Sequence, residues 1–198
     1  MVQHLGHVAR HAQSMLPKYH GPSTLSVAGL VVIAAAMFVA PFMNVRHGAL
    51  DVSDRGEPAY EAAKAYLWRD SVERSIFTRL EHQRTRVHLR IDSRNDDCYD
   101  PSTHTIWWDP HSALRTTSNG RQSPALGLAH EADHATVSAA IRRTGEERHD
   151  AAFDNLEERR VILGSETHAA HTLGEGTRRD HRGTCYRVDF VTNISSHR

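Results

Sequence analysis

The feature that most constrains this chain is a pair of histidines spaced four residues apart in an apolar stretch that a proline opens. The stretch reads Ser-Pro-Ala-Leu-Gly-Leu-Ala-His-Glu-Ala-Asp-His-Ala over residues 123–135, and its histidines are His130 and His134. Four residues slightly exceed one helical turn, so both imidazoles project from one helix face and can reach one metal ion. The serine and proline are the residue types preferred at the N-cap and at the first helical position. We therefore predict a buried helix that binds zinc (Zn2+).

Glu131, which follows the first histidine, is predicted to be a general base rather than a metal ligand. On a helix it points to the flank beside the histidines, where its carboxylate can contact a water molecule at the metal. The chain contains 16 histidines among 198 residues, so the motif also arises by chance, and the alternative is a fortuitous histidine pair. The helical setting and the acids downstream favour the metal site.

A third protein ligand leaves one open position on a tetrahedral zinc ion, and a glutamate from a later helix is a common source. The segment Asn-Leu-Glu-Glu-Arg-Arg-Val-Ile-Leu-Gly at residues 155–164 predicts such a helix. Glu158 follows His134 by 24 residues, a separation that suits a helix, a loop and a returning helix. Glu157 and Glu158 point about 100° apart on a helix, so we expect only one of them to bind the metal. The alternative is that both are solvated or paired with the arginines that follow.

The N-terminal part of the chain differs from the rest in composition. Residues 1–24 are polar and rich in histidine, which predicts a disordered segment. Residues 25–43 carry no charge, and these 19 residues have about the length that a helix needs to cross a bilayer. The first interpretation is a transmembrane helix, and a secretory signal peptide or a buried helix of the folded domain are the alternatives. Basic residues flank the segment on both sides, so its orientation is not predicted.

The remainder of the chain is predicted to form one domain. Residues 44–57 are polar and contain two glycines, so we expect a linker, followed by a folded domain over residues 58–198. That length allows one compact domain with a sizeable core. Apolar residues at helical spacing predict one or two helices over residues 58–83, and alternation of apolar and polar residues predicts a strand at residues 87–91.

Four further stretches complete the predicted domain. Residues 103–109 predict a second strand, and the edge of such a strand can bind an extended peptide by main-chain pairing. Residues 111–122 are predicted to be a polar loop that forms a mobile wall of the cleft. Residues 142–150 are charged and are expected to be flexible, and residues 185–190 predict a late strand.

Charge and cysteine content exclude some classes of partner and scaffold. Lys plus Arg and Asp plus Glu balance at 24 each with no long run of one sign, so we expect no nucleic-acid partner. Cys98 and Cys185 have no metal-ligand spacing and are too few for a disulfide framework. Two free thiols and a single bridge both remain open.

The two motifs together resemble a known family. Pro-Ala-Leu-Gly-Leu-Ala-His-Glu-x-x-His-Ala at residues 124–135, combined with Leu-Glu-Glu-Arg-Arg-Val-Ile-x-Gly at residues 156–164, is similar to the NleD-like zinc endopeptidases of bacterial secreted effectors. More distantly, the combination is similar to the clostridial neurotoxin light chains. The resemblance implies an α+β, zincin-like metallopeptidase fold with a small mixed sheet around the motif helix. It also implies a zinc cofactor and a protein or peptide substrate.

The resemblance also implies roles for individual residues. In the light chains the second glutamate of a comparable Glu-Glu-x-Arg segment binds zinc, so the resemblance favours Glu158 over Glu157. An Arg-x-x-Tyr pair late in those chains stabilises the oxyanion, and Arg178 and His181 have the same spacing here, with histidine in place of tyrosine. Tyr186 is a further candidate for the hydroxyl group. A loop of charged surface residues is the alternative account of the arginine and the histidine.

Three other acids and the cellular setting complete the predictions. Glu166 and Glu175 are candidates for accepting the second ring proton of a zinc-bound histidine, with solvated surface positions as the alternative. Asp133 departs from the family pattern, which has an apolar or small residue there. The resemblance implies a secreted effector that acts in a target cell, near a membrane if residues 25–43 bind one. A single-pass membrane protein of the producing bacterium, a non-catalytic binding module and a membrane-inserting effector are the alternatives.

Overall fold

The computed structural model describes residues 44–195. The helices are α1 (Glu57–Leu67), α2 (Ser71–His82), α3 (Pro124–Thr136), α4 (Ala139–Glu146), α5 (Leu156–Val161) and α6 (Thr167–Leu173). The strands are β1 (Asn44–His47), β2 (Leu50–Ser53), β3 (Val87–Ile91), β4 (Cys98–Asp100), β5 (Thr105–Trp108), β6 (Ser112–Thr116), β7 (Arg121–Gln122), β8 (His149–Asp150), β9 (Asp154–Asn155) and β10 (Gly183–Arg187). The segments predicted at residues 1–24 and 25–43 lie outside this range. Within it, no helix combines the length and apolar character that a membrane span requires.

The largest sheet is mixed and has five strands in the order β1-β2-β3-β5-β4. Strands β2, β3 and β5 run parallel to one another, whereas β1 and β4 are antiparallel to their neighbours at the two ends. A second sheet has the order β10-β6-β7, and β8 and β9 form a short hairpin. The chain therefore has the predicted α+β class with a mixed sheet.

The stretch predicted to be a linker, residues 44–57, is instead part of the large sheet. Strands β1 and β2 form a hairpin around Gly48, whose φ is +60° and whose Cβ, if present, would lie 2.1 Å from the Glu81 carbonyl oxygen. Leu50 and Val52 of β2 are 1% and 0% exposed. The prediction is wrong because each strand has only four residues, too few for alternation to outweigh the polar composition around them.

The predictions of a loop and of a flexible segment are also wrong. Residues 111–122 contain β6 and β7, and β6 is stabilised by antiparallel pairing with β10, more than 60 residues later in the chain. Within residues 142–150, helix α4 covers the first part, with Ser138 accepting a hydrogen bond from the Ile141 backbone N–H as its N-cap. In both stretches the local composition is polar, and contacts with distant elements stabilise the structure.

Helix α3 runs through the core between the large sheet and the other helices, and 11 of its 13 residues are buried. Trp108 at the end of β5 is fully buried, and its indole N–H donates to the Pro124 carbonyl at 2.8 Å. Ser123 caps the helix by accepting a hydrogen bond from the Leu126 backbone N–H. Because α3 is buried on nearly every side, each polar side chain on it needs a partner.

A π-type turn at Ile162–Glu166 joins α5 to α6, with a kink at Gly164 where φ and ψ are −97° and −106°. Such turns change which side chains share a face of a helix and are frequent at functional sites. Glu158 before the kink and Glu166 after it both point towards α3, where they contact the same histidine. Cys98 and Cys185 are exposed, unpaired thiols.

Candidate metal centre

Three side chains converge where α3 meets α5. The Nε2 atom of His130 lies 3.1 Å from Nε2 of His134 and 3.0 Å from Oε2 of Glu158, and His134 Nε2 lies 3.3 Å from Glu158 Oε1. A tetrahedral zinc ion with bonds of about 2 Å separates its ligand atoms by about 3.3 Å. The observed separations match this value, so the three residues form a group that can hold a metal ion.

Local sequence explains why these atoms meet. The four-residue spacing puts both histidines on one face of α3, and each is 6% exposed. Asn155 caps α5, because its side-chain oxygen accepts hydrogen bonds of 2.9 Å from the backbone N–H groups of both Glu157 and Glu158. The cap thus places the glutamate pair in the first turn of the helix, opposite α3.

The structure distinguishes the two glutamates of the pair. Glu158 reaches the Nε2 atoms of both histidines, whereas Glu157 Oε1 lies 3.1 Å from Nδ1 of His134, on the opposite edge of that ring. The Glu157 carboxylate also accepts hydrogen bonds of 2.7 and 2.9 Å from Arg160. Glu158 therefore has the position of a third ligand, and Glu157 that of an acceptor for the ring proton of His134.

Glu166 has the same relation to the other histidine. Its Oε2 atom lies 2.8 Å from Nδ1 of His130, and its Oε1 atom accepts a hydrogen bond of 2.7 Å from the Gln122 side-chain amide. The side chain is 2% exposed. A buried carboxylate at Nδ1 orients the ring and leaves Nε2 free to bind a metal. Glu166 thus occupies the orienting position predicted for it.

The pKa values of the cluster are shifted because its acidic side chains outnumber its two histidines. Burial lowers the pKa of His130, but hydrogen bonds to Glu158 and Glu166 outweigh burial and raise that pKa to about 10. Burial raises the pKa of Glu158, but its hydrogen bonds with His130 and His134 hold the pKa well below its usual range. A metal ion bound by these atoms supplies the positive charge that the protons otherwise provide, so metal and protons compete for the site.

A cleft of about 240 Å³ opens beside His130. Glu131 lines this cleft and is 8% exposed. A second opening of about 230 Å³ lies along the other side of the cluster and is lined by Glu131, His134 and Glu158, among others. The predicted general base therefore faces the space next to the three metal-binding atoms.

Two of the three residues predicted to stabilise an oxyanion lie at this cleft. Arg178 lines it with a side chain that is 10% exposed. Its Nε atom lies 3.4 Å from Glu166 Oε1, and its Nη2 atom has no hydrogen-bond partner among the described residues. His181 Nε2 lies 3.4 Å from Glu158 Oε2, and its Nδ1 lies 2.5 Å from Asp154 Oδ2. Tyr186 does not line the cleft, because its hydroxyl group donates to the Ile194 carbonyl at 2.7 Å. The structure thus places Arg178 and His181 at the cleft, and Tyr186 away from it.

Glu175, the second candidate for orienting a histidine, has a different role in the structure. Its carboxylate accepts hydrogen bonds of 2.7 Å from both the backbone N–H and the hydroxyl group of Ser123, and one of 2.8 Å from the Tyr66 hydroxyl. Burial raises its pKa. Glu175 therefore stabilises the start of α3 and has no hydrogen bond to either His130 or His134.

Sequence reasoning missed two further acids of the site. Asp133 is 5% exposed and pairs with Arg160 of α5. Asp97 lines both openings, and its Oδ1 atom accepts a hydrogen bond of 2.8 Å from the Asp109 backbone N–H. A charged residue within an otherwise buried helix was a usable signal for a buried partner of Asp133. Asp97 lies in a polar loop segment that shows no such signal.

A second group that could hold a metal is formed by His47, Glu57 and Glu61. His47 Nε2 lies 2.8 Å from Glu57 Oε1, and His47 Nδ1 lies 3.5 Å from Glu61 Oε1. The two acids contact opposite ring nitrogens, and the Glu61 side chain is 52% exposed. We attribute this group to surface ion pairs, which contribute little to stability.

In comparisons with known proteins, the chain matches no protein-family model, no curated protein and no solved structure. Function is therefore inferred from the geometry of the site and from the sequence motifs.

Proposed function

We propose that the protein is a zinc-dependent endopeptidase with a zincin-like fold. His130, His134 and Glu158 bind the zinc ion, and Glu131 is the general base. The observation that carries the proposal is the spacing of 3.0 to 3.3 Å among the Nε2 atoms of the two histidines on α3 and the two carboxylate oxygens of Glu158 on α5. The position of Glu131 at the cleft beside them supports the assignment of the base.

Each residue of the cluster has a part in peptide hydrolysis. Zinc, when bound, acts as a Lewis acid towards the scissile carbonyl and makes water a better nucleophile near neutral pH. Glu131 takes a proton from the attacking water and delivers it to the nitrogen of the departing amine as the C–N bond breaks. The Nη2 group of Arg178, which has no hydrogen-bond partner among the described residues, donates to the oxyanion that develops on the carbonyl oxygen, and His181 is a second donor at the same cleft.

The position of strand β4 favours a peptide as the substrate. It is the last strand in the order of the large sheet, it contacts α3, and Cys98 and Tyr99 on it line the second opening. An extended peptide can pair with such an edge strand through main-chain hydrogen bonds and pass over the metal-binding atoms. The family resemblance extends the proposal to a secreted effector that cleaves a protein of a target cell, at a membrane if residues 25–43 associate with one.

The proposal is tested by zinc content and peptide cleavage with the full-length protein. We expect one zinc ion per chain by mass spectrometry, lost in Glu158→Ala and retained in Glu61→Ala, the matched control from the surface group. Glu131→Gln should retain zinc and lose cleavage of a proteome-derived peptide library by at least about 1,000-fold. A folded wild-type chain without zinc, or a Glu131→Gln variant that cleaves as wild type does, would overturn the proposal.

A further inference from the structure

Asp133 is a charged residue within the most buried helix of the fold. It is 5% exposed and lies directly before the metal-binding His134. Burying a carboxylate carries a large desolvation cost unless the group is paired and hydrogen-bonded. The structure supplies both kinds of partner, and both come from the segment that carries Glu158.

Asp133 connects α3 to this segment on both sides of the Gly164 kink. Nη1 of Arg160, on α5, lies 3.0 Å from each carboxylate oxygen of Asp133. The Ser165 hydroxyl, in the π-type turn, donates to Asp133 Oδ2 at 2.5 Å. One buried side chain therefore fixes the orientation of the whole segment that presents Glu157, Glu158 and Glu166 to the histidines.

The contacts continue from Arg160 back to α3. Nη2 and Nε of Arg160 donate to the two oxygens of Glu157 at 2.7 and 2.9 Å, and Glu157 Oε1 lies 3.1 Å from Nδ1 of His134. Asp133 and His134, which are neighbours in sequence, are thus also connected through two side chains of α5. A proton held on Nδ1 by Glu157 leaves Nε2 with the lone pair that a metal requires.

We infer that Asp133 is a positioning residue that acts through Arg160 and Glu157 to hold His134 in its metal-binding orientation, and so sets the affinity of the zinc site. This inference rests on the proposed function. It assigns a role to the one position of the motif helix where the sequence departs from the family pattern. Arg160 bridges the two carboxylates, and without Asp133 its guanidinium group loses the contacts of Nη1 and is held by Glu157 alone.

The test is the zinc affinity of the full-length protein, measured by competition with a chromophoric chelator. We expect Asp133→Asn and Arg160→Ala each to weaken zinc binding by about 10- to 100-fold, as for other residues that orient a metal-binding histidine. The double variant should bind zinc no more weakly than the single variant with the lower affinity, because both changes interrupt the same series of contacts. Arg159→Ala is the matched control, since that neighbouring arginine is 54% exposed and pairs with Asp150, and it should leave the affinity within about twofold of wild type.

A purely structural ion pair predicts a different pattern. If the ion pair were only structural, its loss would lower the Tm of the metal-free protein but leave the zinc affinity and the visible spectrum of the cobalt-substituted protein as in wild type. That result would overturn the inference. If Asp133→Asn does not fold, the variant Asp133→Leu/Arg160→Met replaces the buried pair with apolar side chains, a change that often preserves stability. We expect this variant to fold with weakened zinc binding and a changed cobalt spectrum, and wild-type affinity in it would also overturn the inference.

The two proposals fail in distinguishable ways. If wild type binds no zinc, the proposed function and the inference fail together. If wild type binds zinc through Glu158 and the Asp133 variants bind it equally well, the inference alone fails.

Discussion

Nδ1 of His130 lies 2.8 Å from Oε2 of Glu166 in the interior of the protein, although 36 residues separate the two in sequence. The contact exists because the π-type turn at Ile162–Glu166 directs Glu166 towards α3, as α5 already directs Glu158, about two turns earlier. One helical segment thus holds both nitrogens of a single imidazole. Glu158 is placed to bind the same metal ion as Nε2 of His130, and Glu166 is placed to accept a hydrogen bond from the proton on Nδ1.

This relationship predicts a specific effect of Glu166→Gln. The amide keeps the size of the side chain but is a much weaker acceptor for the His130 ring proton, so zinc affinity should fall by about 10- to 100-fold. Chelator competition measures the change. Glu175→Gln is the matched control, because Glu175 is a half-buried acid that contacts Ser123 rather than a histidine. Equal zinc affinities of the two variants would contradict the assigned role of Glu166.

Arg178→Ala should reduce turnover without removing zinc. The side chain lines the cleft with an Nη2 group that has no hydrogen-bond partner among the described residues, and loss of one oxyanion donor typically lowers kcat by about 100- to 1,000-fold. The measurement is cleavage of a peptide found in the library experiment, alongside zinc content. Arg179→Ala, which changes the exposed neighbouring arginine, should behave as wild type. A similar loss of activity in both variants would contradict a specific role of Arg178 and show that changes anywhere in this loop lower activity.

Gly127 makes room for Asp97, and this contact can be tested with a double-mutant cycle. A Cβ atom at Gly127 would lie 2.6 Å from Asp97 Oδ2, while Oδ1 is held by the Asp109 backbone N–H. Gly127→Ala should therefore destabilise the wild-type protein by about 1–3 kcal/mol. In an Asp97→Ala background the same change should stabilise by up to about 1 kcal/mol, because alanine is the better helix residue. Urea unfolding gives both values, and identical values in the two backgrounds would refute the contact.

Glu73 predicts a pH-dependent loss of stability. It is 0% exposed, neither carboxyl oxygen has a hydrogen-bond partner, and burial raises its pKa from 4.5 to about 8, with Asp70 and Asp133 adding to the effect. Between these two pKa values the native state binds a proton that the unfolded state has released, so stability falls as pH rises through this window. Glu73→Gln removes the ionisation and should stabilise the metal-free protein by on the order of 4 kcal/mol at pH 7.5.

The difference between Glu73→Gln and wild type should vanish near pH 4.5, because the carboxyl group is then largely protonated in the native state and increasingly so in the unfolded state. Urea unfolding at three pH values measures this dependence. A difference that stays constant with pH would show that the change acts through packing instead of ionisation.

Helices and strands with a clear local pattern could be predicted, and those that depend on distant partners could not. Residues 87–91 alternate apolar and polar side chains and form β3 with the predicted bounds. The one or two helices predicted over residues 58–83 are two, α1 and α2, and Asp70 caps the second. By contrast, β2 and β6 are short, and they are strands because β3 and β10 supply their hydrogen-bond partners, while β1 pairs in turn with β2.

The sequence by itself determined the parts of the site that depend on helical geometry. A spacing of four residues puts His130 and His134 on one face of any α-helix, and adjacent acids on the next helix put one carboxylate within reach of that face. Only the tertiary structure decided which acids contact the ring nitrogens of the histidines, that Tyr186 lies away from the cleft, and that Asp133 pairs with Arg160. Helical periodicity acts over one or two turns, whereas a buried ion pair forms only where packing brings two distant segments together and excludes water.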